Sequence, residues 1–130
     1  MKGNTPGSLR VLIADDNRDG ADSCAILLQQ DGHAVCVAYS GEDALALGAR
    51  FRPQLMLADL AMPGMDGYSL ARQVRDCEWG SAVILVAVSG QGGDDLRRRL
   101  RDSGFDHHLV KPVEIDSLRA LLKECAYLQG

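Results

Sequence analysis

Five residues of this chain could together handle a phosphoryl group, and each stands where an apolar run ends. Asp15 and Asp16 close "LRVLIADD", Asp59 closes "PQLMLAD", Ser89 closes "AVILVAVS" and Lys111 closes "HHLVK". Aspartate is a poor strand residue and a costly one to bury. Either the loops that follow need these carboxylates as caps, or chemistry does. Taken singly, each aspartate reads most simply as a cap and Lys111 as a surface lysine. Five such groups at the ends of four runs make a poor set of independent caps. Three carboxylates brought together repel one another and need a cation. Oxygen-only ligands favour a hard ion such as Mg²⁺, which keeps several waters and takes few carboxylates. With an ammonium and a hydroxyl added, such a site suits a phosphoryl group. An aspartate within it can act as nucleophile and form an acyl phosphate.

These residues converge only if the elements carrying them lie side by side. The runs from Leu9, His33, Pro53, Ala82 and His107 read as five strands, each followed by a helical pattern. Ala21, Cys24, Ala25 and Leu28 recur at helical spacing, and Gly32 stops that helix. Ser40 caps the second helix, whose apolar positions are Ala44, Leu45, Leu47 and Phe51. Tyr68, Ala71 and Val74 mark the third. Asp94 and Asp95 open the fourth and arginines close it, as the helix dipole prefers. Glu114 or Asp116 opens the last, with Leu118, Leu121, Leu122 and Cys125 facing inward. "AVILVAVS" is apolar without alternation, the mark of a strand buried on both faces. Strands alternating with helices imply an α/β domain with a parallel sheet. Ligands of such open sheets bind at the carboxyl ends of the strands, where the five residues stand.

The 130 residues suit one domain. A net charge of −4 argues against a nucleic-acid-binding face, which is usually basic. No apolar run approaches the roughly 20 residues of a membrane span. "MKGNTPGS" lacks the apolar core of a signal peptide and reads as a flexible tail. Cys24, Cys36, Cys77 and Cys125 form no C-x-x-C pair and read as small buried hydrophobes. A cytoplasmic location is the default expectation.

Four segments, "VLIADDN", "LMLADLAMPGMDGY", "ILVAVSG" and "LVKP", occur in an order and spacing that resemble the receiver domain of bacterial two-component response regulators. The resemblance is to chemotaxis-regulator-like receivers and covers about residues 9 to 125. "GFDHHLVKP" is similar to receivers attached to hybrid histidine kinases. The family implies a flavodoxin-like doubly wound (βα)5 fold, with a five-stranded parallel sheet in the order 2-1-3-4-5. The domain would span residues 9–126, with tails over 1–8 and 127–130. The chain stops just after its fifth helix, so either a single-domain regulator or a segment of a hybrid kinase is expected.

The resemblance also implies roles. Asp59 is the phosphoacceptor. Asp16, Asp59 and the Ala61 carbonyl bind Mg²⁺, with Asp15 holding it through water. Ser89 reaches a phosphoryl oxygen, Lys111 pairs with the phosphoryl group, and the Lys111–Pro112 bond is cis. Pro63, Gly64 and Gly67 turn the chain away and leave Asp59 accessible. Ser89 and the strand-five residue His108 form the switch. The expected function is a signalling switch rather than an enzyme. It accepts a phosphoryl group from a histidine kinase or histidine phosphotransfer protein and acts on a downstream protein partner. It contacts neither nucleic acid nor membrane directly, and is a monomer or weak dimer.

Two positions depart from the usual receiver pattern. Ala61 has no side chain to touch an attacking water. His108 stands where Tyr or Phe is usual; an imidazole fills less space, and its ring nitrogen must find a partner. Burial would favour its neutral form, so a weaker switch, weakest in acid, is expected.

Other signals count for less. "SGQGGDD" lacks both G-x-G-x-x-G and a Gly-Lys-Ser ending, so it reads as a loop. His107 and His108 are strand neighbours and point to opposite faces. "RRRLR" (Arg97 to Arg101) reads as a solvated helix face. Competing functions are a protein-binding module that no longer uses phosphate and a metal-dependent phosphatase. The intact constellation argues against the first. Against the second, no aspartate stands two residues after Asp59, as haloacid-dehalogenase-like phosphatases require.

Overall fold

The computed structural model describes residues 7–90 and 92–129. The strands are β1 (Arg10–Ala14), β2 (Ala34–Ala38), β3 (Leu55–Asp59), β4 (Ile84–Ser89) and β5 (His107–Val110). The helices are α1 (Arg18–Gln30), α2 (Gly41–Phe51), α3 (Gly67–Asp76), α4 (Asp94–Ser103) and α5 (Ile115–Gln129), with a 3-10 turn over Glu78–Gly80. All strand pairs are parallel and the sheet order is β2-β1-β3-β4-β5, the expected doubly wound flavodoxin-like arrangement.

Alternation along the strands divides the core in two. Leu12, Met56, Leu85 and Ala87 pack against α2, α3 and α4. Val11, Leu55, Leu57 and Val86 pack against α1 and α5. Because both faces are covered, β3 is buried at every position, the terminal Asp59 included. This leaves the carboxylate on a rigid mount.

Polar side chains set the helix starts. Ser40 accepts from the Asp43 N–H at 3.1 Å, as its position before α2 suggests. Asn17 and Asp66 do the same for α1 and α3. Leu118 N–H donates to the Glu114 carbonyl, so Glu114 rather than Asp116 stands at the head of α5. That helix continues to Gln129, past the boundary at residue 126 drawn from the sequence. The first six residues of the expected N-terminal tail, and Gly130, lie outside the described residues. At the tail's end, Ser8 Oγ donates to the Gly32 carbonyl and Leu9 is already buried. Three of the cysteines are half-buried, and Cys125 alone among them is fully so.

Candidate functional site

The Asp59 carboxylate is 4% exposed and both its oxygens are engaged. Oδ1 accepts the Ala61 N–H at 3.1 Å and Oδ2 accepts the Lys111 ammonium at 3.1 Å. Carboxylate oxygens of Asp15, Asp16 and Asp59 lie within 4.8 Å of one another. The two strand ends that carry them are neighbours because β1 and β3 pair directly, Ala14 beside Ala58. Lys111 reaches Asp59 from beyond β5 through the turn at the cis Lys111–Pro112 bond.

The capping alternative is realised in part. Asp15 Oδ1 accepts the Asn17 N–H at 3.0 Å, and Asp59 caps its own turn through Ala61. Each aspartate thus spends one oxygen on the local turn, which orients the carboxylate toward its neighbours. Burial pushes the Asp15 carboxyl above its ordinary pKa. The Asp59 charge acts in the same direction, while the Asn17 N–H and Lys111 oppose it. Three carboxylates facing one ammonium leave the cluster short of positive charge. The donors are all oxygen, which fits a hard divalent cation.

Gly67 is required by this loop. A Cβ there would lie 2.7 Å from both the Asp59 carbonyl oxygen and Leu60 Cα. Gly64 sits at φ +77°, in the left-handed region. The two glycines turn the chain behind Asp59, yet the carboxylate is buried rather than accessible as the sequence suggested, because both faces of β3 are covered; it borders only the cleft beside it. An apolar cleft of about 650 Å³ opens beside the cluster, lined by Cys24 and Leu27 of α1, by Val113, and by Ile115 and Leu118 of α5.

Ser89 makes a contact that its place at a strand end did not suggest. It continues the alternation of Leu85 and Ala87, and its Oγ lies 2.7 Å from His108 Nε2. His108 stands beside Ala87 in the β4–β5 register. Its ring is half-buried, and burial with the nearby Arg97 charge lowers its pKa. The ring nitrogen has therefore found a partner, and that partner is the Ser89 hydroxyl. Of the remaining histidines, His107 is exposed. The α4 arginines are exposed, with Arg99 stacked 4.0 Å over the Tyr68 ring.

Sequence reasoning missed two polar clasps. Arg75 donates to the carbonyls of Gly80, Ser81, Val83 and Gly104 and pairs with Asp106 at 2.9 Å. His33 Nδ1 accepts the Leu9 N–H at 3.0 Å. Neither carries a sequence signal, because both depend on loops brought together by the sheet.

Residues 11–123 match the family model of the response regulator receiver domain. The chain is 32% identical over 122 residues to an uncharacterised 14.6 kDa protein of Leptolyngbya boryana, covering 93% of each. It is 37% identical to part of the virulence sensor protein BvgS of Bordetella bronchiseptica, covering 92% of this chain but spanning only 10% of that sensor. Among solved structures, it superposes with a TM-score of 0.82 on the receiver domain of sensor histidine kinase PA1611 of Pseudomonas aeruginosa. That domain is 25% identical, with 92% of this chain and 98% of that one covered, and holds a magnesium ion in its active-site cleft. No helix among the described residues is long and apolar enough to cross a membrane. By the family match, the strand order and the acidic cluster at the strand ends, the chain belongs to the response regulator receiver domains of two-component signalling.

Proposed function

We propose that Asp59 accepts a phosphoryl group from a phosphohistidine on a histidine kinase or histidine phosphotransfer protein, within a receiver domain that begins at residue 9 and runs through α5. The observation that carries this reading is the pairing of buried Asp59 with Lys111 at 3.1 Å inside a three-carboxylate cluster. An Asp59 oxygen attacks phosphorus, the new O–P bond forms as the P–N bond breaks, and the donor imidazole leaves. Lys111, freed from the carboxylate charge, pairs with a phosphoryl oxygen. Ala61 N–H keeps the carboxylate aimed. Ser89 donates to a second phosphoryl oxygen once its hydroxyl turns from β5 toward the site.

Asp15, Asp16, Asp59 and the Ala61 carbonyl would hold Mg²⁺, consistent with the oxygen-only donor set. When bound, the ion supplies positive charge against the phosphoryl oxygens. The related PA1611 receiver, with magnesium in its cleft, supports this choice of ion. The apolar cleft beside Asp59 suits the approach of a donor protein's side chains. Ser89 and His108 then carry the change to a downstream protein partner. Treatment with acetyl phosphate and Mg²⁺ should add one phosphoryl group to the wild type. EDTA or Asp59→Asn should prevent it, and undiminished labelling of Asp59→Asn would reject Asp59 as the acceptor.

A further inference from the structure

The cleft beside Asp59 has two kinds of wall. Asp15, Asn17, Asp59 and Lys111 form its polar end, at the carboxyl edge of the sheet. Cys24 and Leu27 of α1, with Val113, Ile115 and Leu118 on the α5 side, line an apolar part. Asn17 spends its Oδ1 on the Gly20 N–H, and burial, then the Asp15 charge, push the Cys24 thiol up, so neither adds a charge to the walls. The cleft holds about 650 Å³, within the range of about 300–1,000 Å³ typical of small-molecule sites. Asp59 is buried and borders this space, so a phosphoryl donor that reaches it is surrounded by these walls.

Resting on the phosphoacceptor reading above, we infer that this cleft selects small phosphoryl donors by their leaving group: it takes acyl phosphates with an aliphatic chain, and lodges the chain between α1 and α5 while Asp59 attacks phosphorus. An Asp59 oxygen forms the new O–P bond. The bond between phosphorus and the acyl oxygen breaks, and the departing carboxylate keeps the electron pair. Attacking and leaving oxygens lie roughly in line, so the acyl chain extends away from Asp59, past the polar end and along the apolar walls. Lys111 stays with the phosphoryl oxygens at the polar end, where it already meets Asp59 at 3.1 Å.

The division of the walls gives this preference its sign. Acetyl phosphate carries a single methyl group, which leaves most of the apolar part unfilled. Propionyl and butyryl phosphate add one and two methylenes. Acetic, propionic and butyric acids are of nearly equal strength, so bond breaking is alike in the three donors and contact with the cleft is what differs. Each methylene moved from water onto apolar walls is worth about fourfold. Since the chain is remote from phosphorus, that gain appears in the rate constant at low donor concentration. A polar or branched donor body would forgo it.

The test measures the second-order rate constant of Mg²⁺-dependent labelling by acetyl, propionyl and butyryl phosphate, followed by intact-protein mass. Wild type should react about tenfold faster with butyryl than with acetyl phosphate, and propionyl phosphate should fall between them. Two variants make the apolar walls polar without touching the phosphoryl end: Leu27→Ser, at a side chain 36% exposed, and the near-isosteric Val113→Thr, at a half-buried one. Each should shrink the butyryl-to-acetyl ratio at least twofold. Phosphoramidate, which has no acyl chain, should label all three proteins at equal rates. Equal rates for the three acyl phosphates in wild type would overturn this inference alone and leave the cleft to a donor protein's side chains. So would a chain-length preference unchanged in both variants. If neither the acyl phosphates nor phosphoramidate labelled Asp59 in wild type, the phosphoacceptor reading would fail and take this inference with it.

Discussion

Replacing Asp59 by asparagine should make the metal-free protein more stable, although it removes a salt bridge. Asp59 faces the carboxylates of Asp15 and Asp16 within 4.8 Å and the Lys111 ammonium at 3.1 Å. At an effective dielectric of about 20, each repulsion costs about 3.5 kcal/mol or more, and the attraction returns about 5 kcal/mol. Asp16 is exposed and the Lys111 side chain is 43% exposed, so solvent reduces both kinds of contribution. Two repulsions against one attraction leave a net strain, to which the desolvation of a buried carboxylate adds. Asparagine keeps an oxygen for the Ala61 N–H. The expected gain is about 1–3 kcal/mol in EDTA at neutral pH, read from urea unfolding with the slope unchanged. Mg²⁺ should stabilise the wild type by mass action and the variant much less. A variant less stable than wild type in EDTA would show that the Lys111 pair outweighs the repulsion. Equal stabilisation of both proteins by Mg²⁺ would place the ion elsewhere.

Arg75→Lys should cost about 2–4 kcal/mol in urea unfolding, because a lysine cannot serve four carbonyls and Asp106 at once; a loss below about 0.5 kcal/mol would make the clasp ornamental. Gly67→Ala should cost about 1–3 kcal/mol, and acetyl phosphate labelling should slow as the Asp59–Leu60 backbone is pushed aside. Normal labelling with normal stability would contradict the close approach. His33 has its pKa lowered by burial, with Asp31 opposing, so the folded state prefers the neutral ring that accepts the Leu9 N–H. Its contribution is present above the unfolded value near 6.5 and lost as pH falls through the folded one. Wild type should therefore lose about 0.5–1.5 kcal/mol more than His33→Gln between pH 7.5 and 5; parallel curves would assign the acid sensitivity elsewhere. The raised pKa of Asp15 works in the opposite direction and is common to both proteins.

The sheet was readable because its strands are short apolar runs closed by polar residues. β4 announces itself by lacking alternation, and the acidic pair and Asp59 by ending strands that must be neighbours. Local chemistry was equally plain at Ser40, whose hydroxyl caps the helix that follows it. Features that depend on register were not readable. Ser89 meets His108 only because β4 and β5 pair with Ala87 beside His108. The sequence grouped Ser89 with the carboxylates at the strand ends and gave no sign that its Oγ would also lie 2.7 Å from His108 Nε2. The edge strand β2 is one residue shorter at each end than its apolar run, and His33 left it to become an acceptor for β1's approach. Arg75 had no assignment in the sequence. Its role arises from the loops around Gly80 and Gly104, which approach α3 only in the folded chain. Trp79 had no assignment in the sequence; the Cζ2–Cη2–Cζ3 edge of its ring packs against Gly48, where any Cβ would collide with it.

Borohydride reduction after phosphorylation identifies the acceptor residue, since an aspartyl phosphate is reduced to homoserine while a free carboxylate is not. The protein is treated with acetyl phosphate and Mg²⁺, reduced, digested and sequenced by mass spectrometry. Homoserine should appear at position 59, should be absent when EDTA replaces Mg²⁺, and should not appear at Asp15 or Asp16. An unmodified Asp59 beside homoserine at another position, or a phosphorylated protein yielding no homoserine, would contradict Asp59 as the phosphoacceptor.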